Sequence, residues 1–526
     1  MPFSLACSTS PHGKREVLYE LAIVAAAVAF SFGIDAVAVP RAPLRRPLAA
    51  VALHIAVLAV VAGASLAITG RPIFSMFVVA VLVAVFAVIS NAKYQSLREP
   101  LVFTDLSLFS QAFSHPRLYL PFLGVVKGLT ALAGAAVIVT GFLLETPADT
   151  PHRGAGAVAA IAGFLLCRAL SQRLFLTLGP TADQRRLGFL ATFAAYLING
   201  LSRAKRHVFA RAVDTGPFSS GAPEAHPDVI VIQSESYFDA RRLGECVRSG
   251  PYAHFDRVRK TAFQQGRLTV PGWGANTMRT EFGMLTGVPS AALGYARFYP
   301  YWYVRRACAS LAGWFKRGGY RAVAVHPYYA DFFGRHRAFR LMQFDRFLDI
   351  RDFAAAPRVG PYVGDDAVAD AIVALLQERD DKPLFAFAIT MENHGPLHLE
   401  PVAPGESDSR HTLGDDARYR DLTAYLRHVE NADRMLGKLT DFLEKRKRPA
   451  VLCFYGDHVP ALSSVFDSLG TEPADSDYVI WRNFGVDEGK QKDVRVESLG
   501  SALQRAMTHE AHATAGWRDE TQLMPA

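Results

Sequence analysis

The pattern of hydrophobic and polar positions divides the chain into two halves of different character. In the first, residues 17–39, 48–69 and 73–91 are long apolar runs with few or no charges. Each is close to the roughly 20 residues that a bilayer-spanning helix needs. A fourth run covers about 119–144 with Lys127 as its only charge, and a fifth covers about 155–171 and contains Arg168. The N-terminal run is too long for a cleaved signal peptide and lacks a small-residue cleavage site before the next span. We therefore expect a polytopic α-helical membrane anchor of about five spans over residues 1–175. Residues 98–117 and 186–203 read as amphipathic helices at the interface, and 203–227 as a linker rich in Arg, Lys, Gly, Ser and Pro. Interfacial helix and linker together occupy 176–227, ahead of a separate domain over 228–526.

In the second half the periodicity changes. Four short apolar runs, 228–233, 321–325, 383–390 and 449–455, read as buried strands, with helical patterns between them at 305–317, 365–379 and about 416–446. Strands buried on both faces read as continuous apolar runs, and their alternation with helices predicts an α/β domain with a mainly parallel sheet.

Composition narrows the class. Half of the residues are hydrophobic and only 20% are charged, and the mean hydropathy is +0.12, so disorder is excluded for most of the chain. Cys7, Cys167, Cys246, Cys308 and Cys453 form an odd, scattered set, which excludes a disulfide-stapled miniprotein and a thiolate zinc site. The net charge of +8 suits an anionic lipid surface but decides nothing alone. There is no Walker-type loop, and no nucleic-acid partner is expected.

The candidate chemistry lies just after the strands. Glu235 follows the first, His326 the second, Asn393-His394 the third, and Asp457-His458 the fourth. In open α/β sheets the ligand crevice lies at the carboxyl ends of the strands, so these residues are expected on one rim. A glutamate, an aspartate and an imidazole suit Mn²⁺, Mg²⁺ or Zn²⁺. The segment 271–287 is a glycine-rich loop running into a helical pattern, with Asn276 as N-cap and Thr277 in the first turn. A threonine hydroxyl on a divalent metal at a helix N-terminus becomes a usable nucleophile near neutral pH. Read from the loop alone, Thr277 is more simply a capping hydroxyl.

The order of these motifs resembles the lipoteichoic acid synthase/phosphoglycerol transferase family, within the alkaline phosphatase/sulfatase superfamily. The residues that carry the likeness are Glu235, Asn276-Thr277 with Glu281-Phe282, His326 with Arg335, Asn393-His394-Gly395-Pro396, and Gly456-Asp457-His458, over about 228–485. The resemblance implies a sulfatase-like fold with Glu235, Thr277, Asp457 and His458 around one divalent metal, Mn²⁺ before Mg²⁺ or Zn²⁺. Thr277 would be the nucleophile. His326, Arg335 and His394 would line the phosphoglycerol pocket, with His394 also the proton-transfer group. Two positions depart from the family pattern, Phe333 where Trp is common and Tyr328 where an acid is usual.

The implied reaction is transfer of phosphoglycerol from phosphatidylglycerol to a glycan or glycerophosphate acceptor of the cell envelope, through a phospho-threonine. Chemistry driven by a lipid phosphodiester needs no nucleotide, and so implies a multi-pass inner-membrane protein whose catalytic domain faces the periplasm. The charge pattern points the other way. Arg41, Arg45, Arg46, Lys93, Arg98, Arg117, Arg173, Arg185 and Arg186 outnumber Lys14, Arg15, Arg71 and Arg153 across the expected loops. By the positive-inside rule that distribution favours a cytoplasmic second half. We expect the extracytoplasmic orientation that the chemistry requires.

Formylglycine sulfatase chemistry is excluded, because Thr277 stands where Cys or Ser is needed. The alternatives are a phosphoethanolamine transferase, whose soluble domain generally carries several disulfides, and a non-catalytic membrane scaffold.

Overall fold

In the computed structural model, residues 11–107, 129 and 132–508 are described. The chain forms two compact units, Met1–Lys205 and Arg206–Ala526.

Among the described residues of the first unit, four helices are long and apolar enough to cross a membrane: Leu18–Val37, Leu48–Thr69, Pro72–Leu97 and Thr150–Arg173. They coincide with the first, second, third and fifth apolar runs. Of the fourth run, only residue 129 and 132–144 are described, where Leu132–Leu144 is a shorter apolar helix. Helices Leu48–Thr69 and Thr150–Arg173 cross at glycines: a Cβ on Gly63 would lie 2.6 Å from the Gly156 carbonyl oxygen, and one on Gly156 2.8 Å from that of Gly63. Small residues let two apolar helices approach to backbone contact where lipid supplies no hydrophobic drive.

The amphipathic readings need correction. Of 98–117, residues 108–117 lie outside the described residues. The stretch 186–203 is broken at Gly188, whose φ of 89° separates helix Pro180–Leu187 from helix Phe189–Gly200. The second of these buries every residue from Phe189 to Tyr196, so it is a packed helix without an exposed polar face. Buried Asp35 accepts the Leu190 N–H at 2.7 Å and pairs with Arg46, so the carboxylate inside the first apolar run ties the bundle together. The expected linker opens as a helix, Arg203–Asp214, with Phe209 and Val213 buried one turn apart.

The second unit is built on an eight-stranded sheet. The strands are β1 (Asp228–Ser234), β2 (Gln264–Thr269), β3 (Arg321–Val325), β4 (Arg346–Leu348), β5 (Arg358–Val359), β6 (Tyr362–Val363), β7 (Leu384–Ile389), β8 (Ala450–Gly456), β9 (Ser476–Arg482) and β10 (Val494–Arg495). The sheet runs β10-β2-β9-β8-β1-β7-β3-β4, with β5 and β6 paired separately. All neighbours are parallel except those of β9, which is antiparallel to β8 and β2. The four runs predicted as strands are β1, β3, β7 and β8, a contiguous parallel block whose side chains are almost wholly buried.

The register aligns the strand ends. Ser234 stands opposite Gly456, Gln233 opposite Ile389, and Val325 opposite Ala388. Glu235, His326, Thr390 and Asp457 therefore leave the sheet at nearly one level. Helices Asp365–Gln377 and Arg420–Glu444 match their predicted spans, whereas the helix expected over 305–317 begins only at Leu311, where the Ser310 hydroxyl caps the Gly313 N–H at 3.0 Å.

Candidate active site and metal centre

Beyond β1 the chain turns sharply. Ser236 has a φ of 54°, and its N–H donates to Asp457 Oδ1 at 2.8 Å while its hydroxyl donates to Glu235 Oε1 at 2.9 Å. The turn passes so close to the end of β8 that a Cβ on Gly456 would lie 1.7 Å from the Tyr237 carbonyl oxygen. Only glycine fits there, and that approach sets Glu235 beside Asp457. From β7, the Thr390 hydroxyl accepts the Glu235 N–H at 3.0 Å.

Glu235, Asp457 and His458 offer one ligand atom each within 4.8 Å of one another, and all three are buried. His458 Nε2 is 3.3 Å from Asp457 Oδ2 and 3.6 Å from Glu235 Oε1. Its Nδ1 lies 3.0 Å from the Val459 carbonyl, which holds the proton on Nδ1 and leaves the Nε2 lone pair toward the carboxylates. Asp457 Oδ2 is buried and has no hydrogen-bond partner among the described residues. An orphaned carboxylate oxygen costs several kcal/mol unless a proton or a cation meets it. Burial first, and then the Asp457 charge, push the Glu235 carboxyl up to about 8. Two buried carboxylates and an imidazole lone pair are the donor set of a divalent cation, so the group fits a metal.

Thr277 begins the ten-residue helix Thr277–Thr286, and its Oγ1 is 3.5 Å from His458 Nε2. Asn276 precedes it as expected, but in the left-handed region at φ 70°, with no side-chain capping bond. Its contribution is the carbonyl, which accepts the Arg279 N–H at 2.8 Å. Thr280, one turn on, donates its hydroxyl to the Asp457 carbonyl at 2.8 Å and fastens the helix to the end of β8.

The other residues singled out from the sequence form two further groups. Arg335 and His326 are joined: Arg335 Nη1 donates to His326 Nε2 at 3.3 Å, and His326 Nδ1 faces the Ile389 carbonyl at 3.2 Å. Burial, and then Arg335, hold His326 well below the usual imidazole range, so it is neutral. Arg335 is 1% exposed and also binds Glu281, with Nε 3.0 Å from Oε2. Glu281 takes a further bond from the Tyr301 hydroxyl at 2.8 Å. The Phe332 and Phe333 rings lie 5.6 Å and 5.1 Å from the Arg335 guanidinium carbon, so Phe333 supplies an aromatic face where the family pattern has indole.

His394 bonds to neither group among the described residues. Its Nδ1 faces the Gly395 carbonyl at 2.8 Å, and the Tyr362 hydroxyl donates to that carbonyl at 3.2 Å. Burial lowers its pKa, which leaves Nε2 as a free base at neutral pH. Its neighbour Asn393 is 3% exposed, with both amide atoms unpartnered among the described residues.

The sequence reading had no place for the residues that hold this framework. Glu281 stood within a motif without a role. Glu392, on the loop that carries His394, accepts from His428 Nδ1 at 2.9 Å, while His428 Nε2 bonds Glu400 at 2.8 Å. Nothing local in the sequence marks Glu281, Glu392 or His428, whose partners lie far along the chain. Ser236, Asn276 and Phe333, at φ 54°, 70° and 55°, each lie within two residues of Glu235, Thr277 or Arg335. Left-handed non-glycine residues are costly and gather where a site dictates the chain path.

The profile of the sulfatase family matches residues 227–508, more than half of the chain. The chain belongs to that family, and the fold expected from the motifs, an apolar helical anchor followed by a mainly parallel α/β sulfatase-like domain, holds. It is 30% identical over 481 residues, 86% of each chain, to the capsular polysaccharide biosynthesis protein RkpI of Rhizobium meliloti (strain 1021). A second protein of that organism, named for cyclic beta-1,2-glucan modification, is 29% identical over 497 residues, 87% of this chain and 75% of that one. The integral membrane lipooligosaccharide phosphoethanolamine transferase A of Neisseria meningitidis has the same fold at 13% identity, with a TM-score of 0.55 over 92% of this chain and 95% of that one.

Proposed function

We propose that the protein transfers phosphoglycerol from phosphatidylglycerol to a cell-envelope glycan or glycerophosphate acceptor, with its catalytic domain on the periplasmic side of the inner membrane. The observation that carries the reading is the Thr277 hydroxyl, at the N-terminus of a buried helix and 3.5 Å from His458 Nε2, beside the Glu235–Asp457 pair. Glu235, Asp457, His458 and Thr277 would hold one divalent cation, Mn²⁺ in the first instance. When bound, it would neutralise the two carboxylates and make the Thr277 alkoxide accessible.

Thr277 Oγ attacks the phosphorus, the bond from phosphorus to the diacylglycerol oxygen breaks, and the proton lost by the Thr277 hydroxyl passes by way of His394 Nε2 to the leaving diacylglycerol oxygen. The glycerophosphoryl group is then esterified to Thr277. An acceptor hydroxyl attacks that phosphorus, its proton passes to His394 Nε2, and the Thr277 oxygen is released. The N-terminus of helix Thr277–Thr286, where the Asn276 carbonyl already takes the Arg279 N–H, would turn its positive end toward charge that develops on the phosphoryl oxygens. His326, Arg335 and His394 line the headgroup side. The Glu281 carboxylate already balances Arg335, so we assign that guanidinium to orienting a phosphoryl oxygen rather than to neutralising it. Unpartnered Asn393 is a further donor beside His394.

The glycan acceptor draws support from the two Rhizobium meliloti relatives, whose names refer to capsular polysaccharide and to cyclic glucan. Cys167, Cys246, Cys308 and Cys453 are all free, which favours phosphoglycerol over phosphoethanolamine transfer. The test is release of diacylglycerol from labelled phosphatidylglycerol by the purified full chain with Mn²⁺. Release that needs both the metal and Thr277 is expected, and full activity in Thr277→Ala would overturn the scheme. Release from phosphatidylethanolamine alone would move the assignment to phosphoethanolamine transfer.

A further inference from the structure

A second site lies in the catalytic unit, and none of its lining residues belongs to the group around Thr277. Helix Arg203–Asp214 and the segment 302–308 enclose a cavity of about 380 Å³. Its floor is apolar: Phe209, Val213 and Tyr303 are buried, and the Phe209 ring packs 5.7 Å from Phe282 and 5.8 Å from Tyr303. The rim is cationic. The half-buried Trp302 indole is flanked by two guanidinium carbons, Arg305 at 5.1 Å and Arg206 at 6.0 Å from the ring centroid. Arg306 adds a third cation and pairs with Asp214, the one carboxylate of the lining among the described residues. Burial, followed by the like charges of Arg337 and Arg206, holds the Arg305 guanidinium below its usual range. Three guanidinium groups, Arg206, Arg305 and Arg306, are therefore gathered at the rim of a pocket that holds one indole.

A concave apolar floor under a guanidinium rim is complementary to a small anionic group with an uncharged body. Phosphate is the group a guanidinium fork fits best. The position in the chain says where such a group comes from. Helix Arg203–Asp214 begins three residues after helix Phe189–Gly200 ends, as the first element beyond the apolar bundle. Leu201 and Val208, at this junction, are each 45% exposed. Basic residues interleaved with tryptophan and exposed aliphatics, directly after apolar spans, are the composition of a membrane–water boundary.

We propose that this cavity binds the phosphodiester headgroup of an anionic phospholipid, with Arg206 and Arg305 on the phosphate and Trp302 against the headgroup. The site is separate from the donor site and would hold the catalytic unit to an anionic leaflet whatever the donor proves to be.

The test is a binding measurement on the detergent-purified full chain carrying Thr277→Ala, so that no lipid is consumed. Dihexanoyl-phosphatidylglycerol and dihexanoyl-phosphatidylserine are titrated, and the signal is the tryptophan fluorescence change that disappears with Trp302→Phe. Both lipids are expected to give a saturable change, dihexanoyl-phosphatidylcholine none, and sn-glycerol 3-phosphate at least about tenfold weaker binding. Arg206→Gln with Arg305→Gln should weaken both anionic lipids at least about tenfold, and Arg305→Lys by less. A response to phosphatidylglycerol alone would overturn the proposal by assigning the signal to the donor site. Equal binding of glycerol phosphate would overturn the lipid assignment, and unchanged affinity in the double variant would remove the site. Thermal unfolding of each variant separates loss of binding from loss of fold. Because the readout involves no turnover, a failed donor assignment and a failed headgroup site give different results.

Discussion

Arg335 and Glu281 form an ion pair in which neither residue reaches solvent: the side chains are 1% and 0% exposed. Glu281 lies one turn beyond Thr277 on the same helix, so the pair couples the helix bearing the proposed nucleophile to the wall bearing His326. Glu281→Gln would leave a buried guanidinium without its counter-charge. The expected loss is about 3–5 kcal/mol of stability, read as a lowered Tm of the detergent-solubilised protein, together with loss of diacylglycerol release. Arg335→Lys keeps the charge but not the fork, and should unfold less readily than Glu281→Gln. Equal Tm values for wild type and Glu281→Gln would show that the pair is not structural.

Metal affinity should depend on pH through Glu235. Its carboxyl is raised to about 8 by burial and Asp457, so below that value a proton competes with the cation. Affinity for Mn²⁺ should rise with pH by about tenfold per unit and level off near 8, with one proton released per metal bound. In the metal-free protein the same raised pKa makes folding less favourable as pH climbs from the usual carboxylate range through 8. Added metal should then stabilise most on the alkaline side. Calorimetric titration in buffers of different ionisation enthalpy counts the protons.

His428 should impose a second pH dependence on stability. Burial opposes its charge, but hydrogen bonds to Glu392 and Glu400 prevail and raise the imidazole to about 9. Its contribution is fully present below the unfolded value of about 6.5 and is lost as pH rises through 9, a difference of about 3 kcal/mol. Asp365, Asn431 and Arg427 also contact or surround the two carboxylates. The difference between wild type and His428→Gln across pH 6 to 10 isolates the imidazole. A difference that grows with pH would overturn this assignment. Because Glu392 anchors the loop carrying His394, the variant should also lower kcat more than it changes KM.

Gly456→Ala tests the close approach between β8 and the turn after β1. A methyl group there would sit 1.7 Å from the Tyr237 carbonyl oxygen, which is backbone and cannot swing aside. The expected cost is at least about 3 kcal/mol. Variant protein that still folds should lose metal binding, because Glu235 and Asp457 would be pushed apart. Wild-type metal affinity in a stable Gly456→Ala protein would refute this account of the turn.

Several elements were legible because burial on both faces removes alternation. The runs VIVI in β1, AVAV in β3, LFAFAI in β7 and AVLCFY in β8 are apolar throughout, and the first polar residues beyond each run mark the rim. The strands that were not read lie toward one side of the sheet or at its ends. β2, Gln264–Thr269, carries Gln, Gly, Arg and Thr, and β4 and β10 are only three and two residues long. Strand β9 is apolar enough, but it runs antiparallel to β8, and only the six-residue helix Ser463–Ser468 stands between them to announce it. Helix Arg203–Asp214 was hidden by its own basic residues, which read as linker.

The two-part organisation, the central parallel block and the side chains at the strand ends, Glu235, His326, His394, Asp457 and His458 among them, were already written in the order of residues along the chain. These follow from local properties, run length, periodicity and position after a strand, that a linear chain displays. Tertiary structure alone decided the partnerships. Glu281 was free to serve any role until folding placed it against Arg335, 54 positions away, and His428 until it met Glu392, 36 positions away. The basic cavity likewise joins residues 206 and 305, which share no local pattern. Charge balance and coordination depend on distance in space, and distance in space is set only when the sheet register brings separate strand ends to one level.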